Sequence, residues 1–224
     1  MRKLLIQILF LATPLSGLAQ TSSVPAPAYN PPDTATSETA ILSGGCFWGV
    51  QGVYEHVKGV TQAVAGYTGG AASTAQYETV STGTTGHAKS VKITFNPRII
   101  SYGQLLEIYF AVTADPTELD YQGPDDGTQY RGVIWAQTPM QKQIATRYIA
   151  QLSAAHSFPA PIVTQVDAAM PFYEAESYHQ DFLVRHPDNP YIAYNDIPKV
   201  EALQAQFPGL YRSVPVTVLK GQAP

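Results

Sequence analysis

Apolar and polar side chains alternate strictly over residues 89–95 of the chain. Val91, Ile93 and Phe95 fall on one face, and the residues between them are polar. A period of two predicts a β-strand that is covered on one face only. The same parity puts Lys89 on the apolar face, so its side chain is expected to point inward rather than into solvent.

Other apolar runs predict strands and helices that alternate along the chain. The strands are expected at residues 40–42, 60–65, 132–136 and 162–167, and the helices at residues 46–58, 102–112, 139–155 and 174–185. Ser101 with Gln104 forms a capping box before the second helix. The third helix starts with Thr138 and Pro139, which are typical N-terminal residues. This order predicts an α+β fold, a single domain with two layers, in which helices pack on a mixed sheet.

The two ends of the chain differ from its middle. Residues 1–19 combine a basic start, a short apolar run and small residues near their end, which predicts a cleaved secretory signal. Residues 20–38 carry four prolines and are expected to form an extended linker. We expect the folded domain over residues 39–212 and a tail over 213–224. The sequence therefore predicts an exported protein, periplasmic or secreted, without a membrane anchor, and we expect a monomer.

Composition narrows the function classes. Only 13% of the residues are charged, the net charge is −4 and no basic cluster exists, which argues against a nucleic-acid-binding surface. The five histidines form no H-E-x-x-H pattern and one cysteine is too few for a zinc cluster. The stretch GYTGG is not a dinucleotide fingerprint, and no P-loop occurs. We expect neither a metal nor another cofactor.

The only cysteine, Cys46, lies in the stretch GGCFWG, between a predicted strand and a predicted helix. A lone cysteine in an exported chain is either a buried inert residue or a reactive thiol. Helix N-termini expose unpaired N–H groups and a positive partial charge, so we expect this position to lower the pKa of the thiol and to make it nucleophilic. Because neighbours on a helix face different ways, one of Phe47 and Trp48 can pack inward while the other forms a pocket wall. Such a wall suits a thioether or methyl group.

Several motifs occur in order between residues 41 and 212: GGCFWG, GYTGG, QYETV, TGHA, ISYGQLLEIYF, GTQYR and FYEAESYHQDF. Together they resemble the A-type peptide methionine sulfoxide reductases. The resemblance implies an α+β sandwich and an oxidoreductase that reduces the S-epimer of methionine sulfoxide, either in oxidised proteins or as the free amino acid.

The resemblance also implies roles for the residues around the thiol. Cys46 matches the nucleophile that attacks the sulfoxide sulfur, releases methionine and becomes a sulfenic acid. Phe47 and Trp48 match the residues that hold the substrate methyl group. His179 falls in a motif that suggests a pocket wall, although a histidine with a purely structural role fits the residues equally well.

Three further residues match polar groups of the family. Tyr77 and Tyr130 match tyrosines that hydrogen-bond the sulfoxide oxygen, and Asp125 matches an acidic residue placed nearby. A sulfoxide oxygen leaves only if it is protonated or strongly hydrogen-bonded, and phenols supply donors for this.

The chain departs from the family at Lys89. The family has Gly-His-Ala-Glu here, and its glutamate donates a proton towards the sulfoxide oxygen, whereas this chain has Gly-His-Ala-Lys. Two interpretations remain open. In the first, Lys89 takes over as hydrogen-bond donor and thiolate partner. In the second, catalysis is impaired, and water and the tyrosines supply the proton.

Two other departures concern the rest of the catalytic cycle and the local surroundings. The chain lacks the second, C-terminal cysteine that resolves the sulfenic acid in many members, so an external thiol is required, either a small thiol or a thioredoxin-like protein. Ala114 stands where the family often has histidine before Asp-Pro-Thr. Besides the reductase, two other functions stay open: a weakened module that binds methionine sulfoxide, and an oxidant sensor that uses Cys46.

Overall fold

A computed structural model of the chain describes residues 23–219. The secretory signal expected at residues 1–19 lies outside these residues. The strands are β1 (Glu38–Ser43), β2 (Val60–Thr68), β3 (Ala88–Phe95), β4 (Tyr121–Gln122), β5 (Asp125–Asp126), β6 (Val133–Ala136), β7 (Gln165–Ala168) and β8 (Phe172–Glu174). The α-helices are α1 (Phe47–Glu55), α2 (Tyr77–Val80), α3 (Tyr102–Ile108), α4 (Pro139–Ala154), α5 (Phe182–Arg185) and α6 (Ile197–Gln206).

Six of the strands form one sheet in the order β7-β6-β1-β3-β2-β8. The β6–β7 pair is parallel and the other pairs are antiparallel, so the sheet is mixed. Strands β4 and β5 form a separate two-stranded ribbon. The predicted α+β class, with helices packed on a mixed sheet in a single domain, is confirmed.

The alternation in β3 has the predicted consequence. Val91, Ile93 and Phe95 are completely buried, while Lys92 and Thr94 are half-exposed. Because β3 lies between β1 and β2, its apolar face belongs to the centre of the core. The inward orientation predicted for Lys89 is also found, since this residue is buried at the start of the strand.

Helix α3 confirms the predicted capping box. The Ser101 hydroxyl accepts a hydrogen bond from the Gln104 N–H at 3.2 Å, and the Gln104 side chain accepts one from the Ser101 N–H at 3.0 Å. The helix continues as a π-helical turn over Tyr109–Thr113, so the predicted end near residue 112 is nearly correct.

The helix expected at residues 174–185 is wrong. Its first residue ends β8, which pairs with β2 at the edge of the sheet, and a short 3-10 turn over Ser177–His179 follows. Asp181 then has a left-handed backbone with φ of 54°, which interrupts any continuous helix before α5. The pairing also depends on Gly66, because a Cβ there would lie 2.3 Å from the Tyr173 carbonyl oxygen.

Two smaller boundaries also differ from the prediction. Helix α1 begins after Cys46 and ends at Glu55 instead of residue 58, and Gly59, with φ of +90°, then turns the chain into β2. Strand β7 starts later than residue 162, because Val163 donates its N–H to the Pro116 carbonyl instead of joining the sheet. Helix α6 and the π-helical turn over Ile192–Asp196 before it were not predicted.

Residues 23–37, in the proline-rich segment, form no helix or strand, and part of this segment lies against helix α4. The Tyr148 hydroxyl donates to the Pro25 carbonyl at 2.8 Å, and the Gln151 amide donates to the Ala26 carbonyl at 2.9 Å. The Asn30 amide donates to the Ser101 hydroxyl at 2.7 Å, beside the capping box. Residues 23–30 therefore belong structurally to the folded unit.

The tail is also attached to the domain as far as the structure describes it. The N–H groups of Val218 and Leu219 donate to the two carboxylate oxygens of Asp181, each at 2.8 Å. Val216 donates its N–H to the Glu55 carbonyl at 3.0 Å. Burial, together with the charge of Asp181, raises the pKa of the Glu55 carboxyl well above its usual range.

Helix α1 lies close to the C-terminal segment, which we define as residues 182–206 from α5 to α6. Two glycines of α1 face this segment and allow the close approach. A Cβ at Gly49 would lie 2.1 Å from Oδ1 of Asp196, and one at Gly52 would lie 2.6 Å from Cδ1 of Leu183. The small residues therefore determine how near α1, which carries the cysteine at its start, comes to the rest of the molecule.

We expect Gly49→Ala to lower the free energy of unfolding by about 1–3 kcal/mol, since the added methyl group overpacks the contact with buried Asp196. Thermal unfolding measures this change. The control is Gly209→Ala, whose added Cβ meets no atom within 4 Å and should leave the melting temperature nearly unchanged. Equal melting temperatures for the two variants would contradict the proposed close packing.

Candidate active site

Cys46 is placed by a sharp turn between a central strand and a helix. Strand β1 ends at Ser43, and Gly45 follows with φ of +93°, a conformation that favours glycine. The Gly45 N–H donates to the Tyr130 carbonyl at 3.0 Å, which ties this turn to the GTQYR motif. Cys46 is the N-cap residue of α1, with an extended backbone, as the sequence predicted for a thiol at a helix start.

The expected low pKa of this thiol is wrong for the free protein. Only 7% of Cys46 is exposed, and burial raises its pKa to about 12, with the charge of Asp196 as the next largest cause. The Lys89 ammonium and the Trp48 N–H act in the opposite direction, but they are outweighed. The helix N-terminus favours the thiolate, whereas removal of water and a nearby carboxylate favour the thiol more strongly.

Aromatic rings surround the start of α1. Phe47 is completely buried, whereas Trp48 is half-exposed and stacks on Phe182 with ring centroids 3.9 Å apart. The His179 ring lies 5.2 Å from Phe47 and 4.3 Å from Tyr77. The structure therefore brings Phe47, Trp48, Tyr77 and His179 together as one aromatic pocket.

His179 is held in its neutral form. The Trp48 indole N–H donates to Nδ1 of His179 at 3.1 Å, so the ring proton is placed on Nε2. Burial lowers the pKa of His179 to about 4. Nε2 is buried and has no hydrogen-bond partner within residues 23–219. The ring is therefore a pocket wall that carries one unused N–H.

The Lys89 side chain enters the same pocket from β3. Only 2% of the residue is exposed, and Nζ donates a hydrogen bond to the Tyr130 hydroxyl at 3.1 Å. Nζ also lies 4.4 Å from the ring centroid of Tyr77 and 4.6 Å from that of Tyr130, at cation–π distances. The ammonium group is thus held by phenol rings and one phenol oxygen.

The protonation of Lys89 depends on the site around it. Burial lowers the pKa of its amine, while the charges of Cys46 and Asp125 oppose that change. Among the described residues no carboxylate forms a salt bridge with it. A buried ammonium without a paired carboxylate gives up a proton more readily than an exposed one.

Asp125 and Tyr191 form the boundary of the site on another side. The Tyr191 hydroxyl donates to Oδ2 of Asp125 at 2.5 Å, and the Tyr191 ring meets Trp48 edge-on at a centroid distance of 5.9 Å. Burial raises the pKa of the Tyr191 phenol, which therefore stays protonated. This bond connects the β4–β5 ribbon to the C-terminal segment.

Tyr191 and Asp196 were both missed at the sequence level. Asp196 is completely buried beside the start of α1, and burial raises its pKa to about 6, with the Lys199 ammonium 3.5 Å away opposing the change. The pair Ile197-Pro198 after Asp196 is a typical helix start and would have indicated α6. No pattern in the sequence indicated that these residues fold back against Cys46.

Two kinds of feature are absent from the described residues. In the part of the chain that the structure covers, no three His, Cys, Asp or Glu side chains form a metal-binding group. Across residues 23–219, no helix has the length and apolarity needed to cross a bilayer. The site consists of a buried thiol, an ammonium and phenol groups, and aromatic walls.

Comparisons with known proteins agree with this geometry. Residues 38–209 match the family model of peptide methionine sulfoxide reductases. The chain is 61% identical over 183 residues to peptide methionine sulfoxide reductase MsrA 2 of Mesorhizobium japonicum, covering 82% of this chain and 94% of that protein. It is 44% identical over 202 residues to MsrA 2 of Synechocystis, covering 88% of this chain and 92% of that protein.

Two solved structures have a similar fold. Methionine sulfoxide reductase A of Corynebacterium diphtheriae has a TM-score of 0.58 and 28% identity, over 80% of this chain and 92% of that one. Reduced Mxr1 of Saccharomyces cerevisiae has a TM-score of 0.60 and 27% identity, over 72% of this chain and 92% of that one. The chain thus belongs to the A-type peptide methionine sulfoxide reductases and is an oxidoreductase that reduces methionine sulfoxide.

Proposed function

We propose that Cys46 is the nucleophile of this reductase and that Lys89 carries the proton that the reaction needs. The observation that supports this is the position of the Lys89 ammonium between the two motif tyrosines, where its charge favours the thiolate form of Cys46. The Cys46 sulfur attacks the sulfoxide sulfur, and methionine leaves with its thioether restored. The oxygen stays on Cys46 as a sulfenic acid.

The aromatic pocket fits the rest of the substrate group. The apolar faces of Phe47, Trp48 and His179 offer contacts to a methyl group and a polarisable sulfur, and such contacts favour thioethers. The same pocket excludes water, which strengthens every hydrogen bond to the sulfoxide oxygen.

The sulfoxide oxygen needs donors and a proton. We assign the donation to the Lys89 ammonium and to the Tyr130 and Tyr77 hydroxyls, because Nζ of Lys89 bonds the Tyr130 hydroxyl and lies over both phenol rings. Lys89 gives one proton to the oxygen and takes one from the Cys46 thiol, so the net change is one proton moved from sulfur to oxygen. The lowered pKa of the lysine brings its acidity nearer to the working pH, as general acid catalysis requires.

Regeneration of the thiol requires a reductant from outside the chain. Cys46 is the only cysteine, so no second thiol of the same molecule can attack the sulfenic acid. A first external thiol displaces water and forms a mixed disulfide with Cys46. A second thiol then releases Cys46 and leaves as the oxidised disulfide. The external reductant is a small thiol or a thioredoxin-like protein.

We further propose that the protein acts outside the cytoplasm as a monomer, on methionine sulfoxide in exported proteins or in free form. The signal-like residues 1–19 support export. The structure argues against a pure oxidant sensor, because sensor thiols are exposed and acidic, whereas Cys46 is buried and its pKa is raised.

We expect Cys46→Ser to abolish catalysis, because a serine hydroxyl cannot form the sulfenic acid. The measurement is steady-state reduction of a peptide with methionine S-sulfoxide, with dithiothreitol as the reductant. The wild-type protein should turn over many times, and the variant should stay at the rate of the blank. Turnover by Cys46→Ser would show that another group is the nucleophile.

We expect Lys89→Met to lower kcat about 10²–10³-fold, the usual effect of removing one donor from a reacting oxygen. The matched control is Lys92→Met on the opposite face of β3, where the lysine pairs with Glu174 near the surface. This control should keep wild-type activity. Lys89→Glu tests the other interpretation, since a large gain in kcat would show that the lysine impairs catalysis.

The balance of charges at Cys46 predicts how its thiol titrates. Because the folded pKa is raised, the rate of alkylation by iodoacetamide should rise with pH up to at least pH 10 without a plateau near neutrality. Asp196→Asn removes a negative charge and should speed alkylation several-fold at a given pH, whereas Lys89→Met should slow it. Asp167→Asn, on the exposed edge strand, should change nothing. A plateau near pH 7 in the wild-type protein would contradict the raised pKa.

A further inference from the structure

A second cleft reaches Cys46 and is distinct from the aromatic pocket. It has a volume of about 260 Å³, many times the roughly 30 Å³ of one water molecule. Its walls come from the turn after α3, the loop that carries the β4–β5 ribbon and the C-terminal segment. The residues that matter here are Cys46, Ala114, Glu118, Asp125 and Tyr191.

The cleft and the aromatic pocket have largely different lining residues. Cys46, Asp125 and Tyr191 line the cleft, whereas the described rings of Phe47 and Trp48 do not. Tyr191 links the two groups of residues, because it donates to Asp125 of the cleft and its ring contacts Trp48 of the aromatic pocket. Cys46 thus lies at the edge of this cleft as well as beside the aromatic rings.

The cleft has an acidic lining. Asp115, Glu118 and Asp125 line it, and the one cation among its lining residues, Lys199, already pairs with buried Asp196. Asp115 is exposed and Glu118 is half-exposed, so solvent and a small molecule in the cleft can reach both carboxylates. Negative charge in a narrow cleft repels anions and attracts cations.

Ala114, the residue that precedes the Asp-Pro-Thr stretch, lines the cleft together with Cys46. Its small side chain lies beside Gly44, in the turn that leads to Cys46. Because Ala114 lines the cleft, we expect a larger side chain at this position to take up part of its volume.

We propose that this cleft binds the reducing thiol, a low-molecular-weight thiol that is neutral or positively charged. The proposal rests on the proposed function, since it needs a Cys46 sulfenic acid. The incoming thiol gives its proton to the sulfenic hydroxyl, which leaves as water, and its sulfur bonds to Cys46. A second molecule of the same thiol then attacks the bound thiol's sulfur, so Cys46 regains its proton and the disulfide of the two small thiols leaves.

The first test separates the two halves of the cycle. Stoichiometric methionine S-sulfoxide without reductant yields one methionine per protein and the sulfenic acid, which tests the proposed function. Reduction of the sulfenic acid by β-mercaptoethanol is then followed in rapid mixing with trapping by dimedone and mass spectrometry. We expect Ala114→Leu to slow this second step at least tenfold more than methionine formation.

The matched control is Ala160→Leu, which fills a cleft of about 390 Å³ that Cys46 does not line. It should leave both steps at the wild-type rate. If no methionine forms in the wild-type protein, the proposed function fails. If methionine forms but Ala114→Leu slows both steps equally, the assignment of the cleft fails.

The second test uses charge and does not depend on how Ala114→Leu folds. Cysteamine, β-mercaptoethanol and mercaptoacetate are compared at equal thiolate concentration. We expect cysteamine, which carries an ammonium group, to reduce the sulfenic acid fastest and mercaptoacetate, which carries a carboxylate, to reduce it slowest. The spread, meaning the ratio of these two rate constants, should be about tenfold at low salt. Glu118→Gln keeps an acceptor for the Gly123 N–H and should narrow the spread, and Glu118→Lys should narrow it further. An unchanged spread in both variants, or reduction by thioredoxin-like proteins only, would overturn the proposal.

Discussion

The site is organised around one buried ammonium group. Lys89 lies at the start of a central strand, where the pleat of the sheet directs its side chain inward. Taking an ammonium out of water costs several kcal/mol unless the protein replaces the lost solvation. Here the replacement comes from the Tyr130 hydroxyl and from the faces of Tyr77 and Tyr130, each cation–π contact contributing about 0.5–2 kcal/mol. A charged lysine can therefore be buried at this position only because Tyr77 and Tyr130 lie where they do.

The backbone around these tyrosines meets that condition. Glu176 accepts the N–H of Tyr77 at 2.9 Å, and the Tyr130 carbonyl accepts the N–H of Gly45 at 3.0 Å. These two hydrogen bonds thus position the phenol of Tyr77 next to the Ser177–His179 turn and the phenol of Tyr130 next to the turn before Cys46. The thiol between Lys89 and Asp196 is kept neutral at rest, and a neutral thiol is less open to oxidation than a thiolate.

Sequence reasoning reached the parts of the fold that local patterns determine. The alternation at Val91, Ile93 and Phe95 correctly predicted β3 and the inward direction of the Lys89 side chain. The Ser101–Gln104 pair correctly predicted the start of α3. The helix expected at residues 174–185 failed because long-range pairing with β2 and the left-handed backbone of Asp181 overrode the local pattern. A single sequence shows neither influence.

The same distinction applies to the site. The motifs named Cys46 and the residues that surround it, and the helix start was correct. The pKa of the thiol was wrong because it depends on burial and on Asp196, a residue 150 positions away along the chain that folds against the same turn. The pKa of a buried group depends on charged residues that are near it in the fold but distant in the sequence. The hydrophobic periodicity of the sequence does not reveal such neighbours.

The hydrogen bonds between Asp181 and the last described residues of the chain have a practical consequence. Its carboxylate holds the N–H groups of Val218 and Leu219, and its own N–H is held by Gln51 of α1 at 3.1 Å. Residues 179 and 180 immediately before it include the histidine of the pocket wall. A change at the end of the chain, such as a fused tag or removal of the last residues by a protease, can therefore reach helix α1 through Asp181 and Gln51.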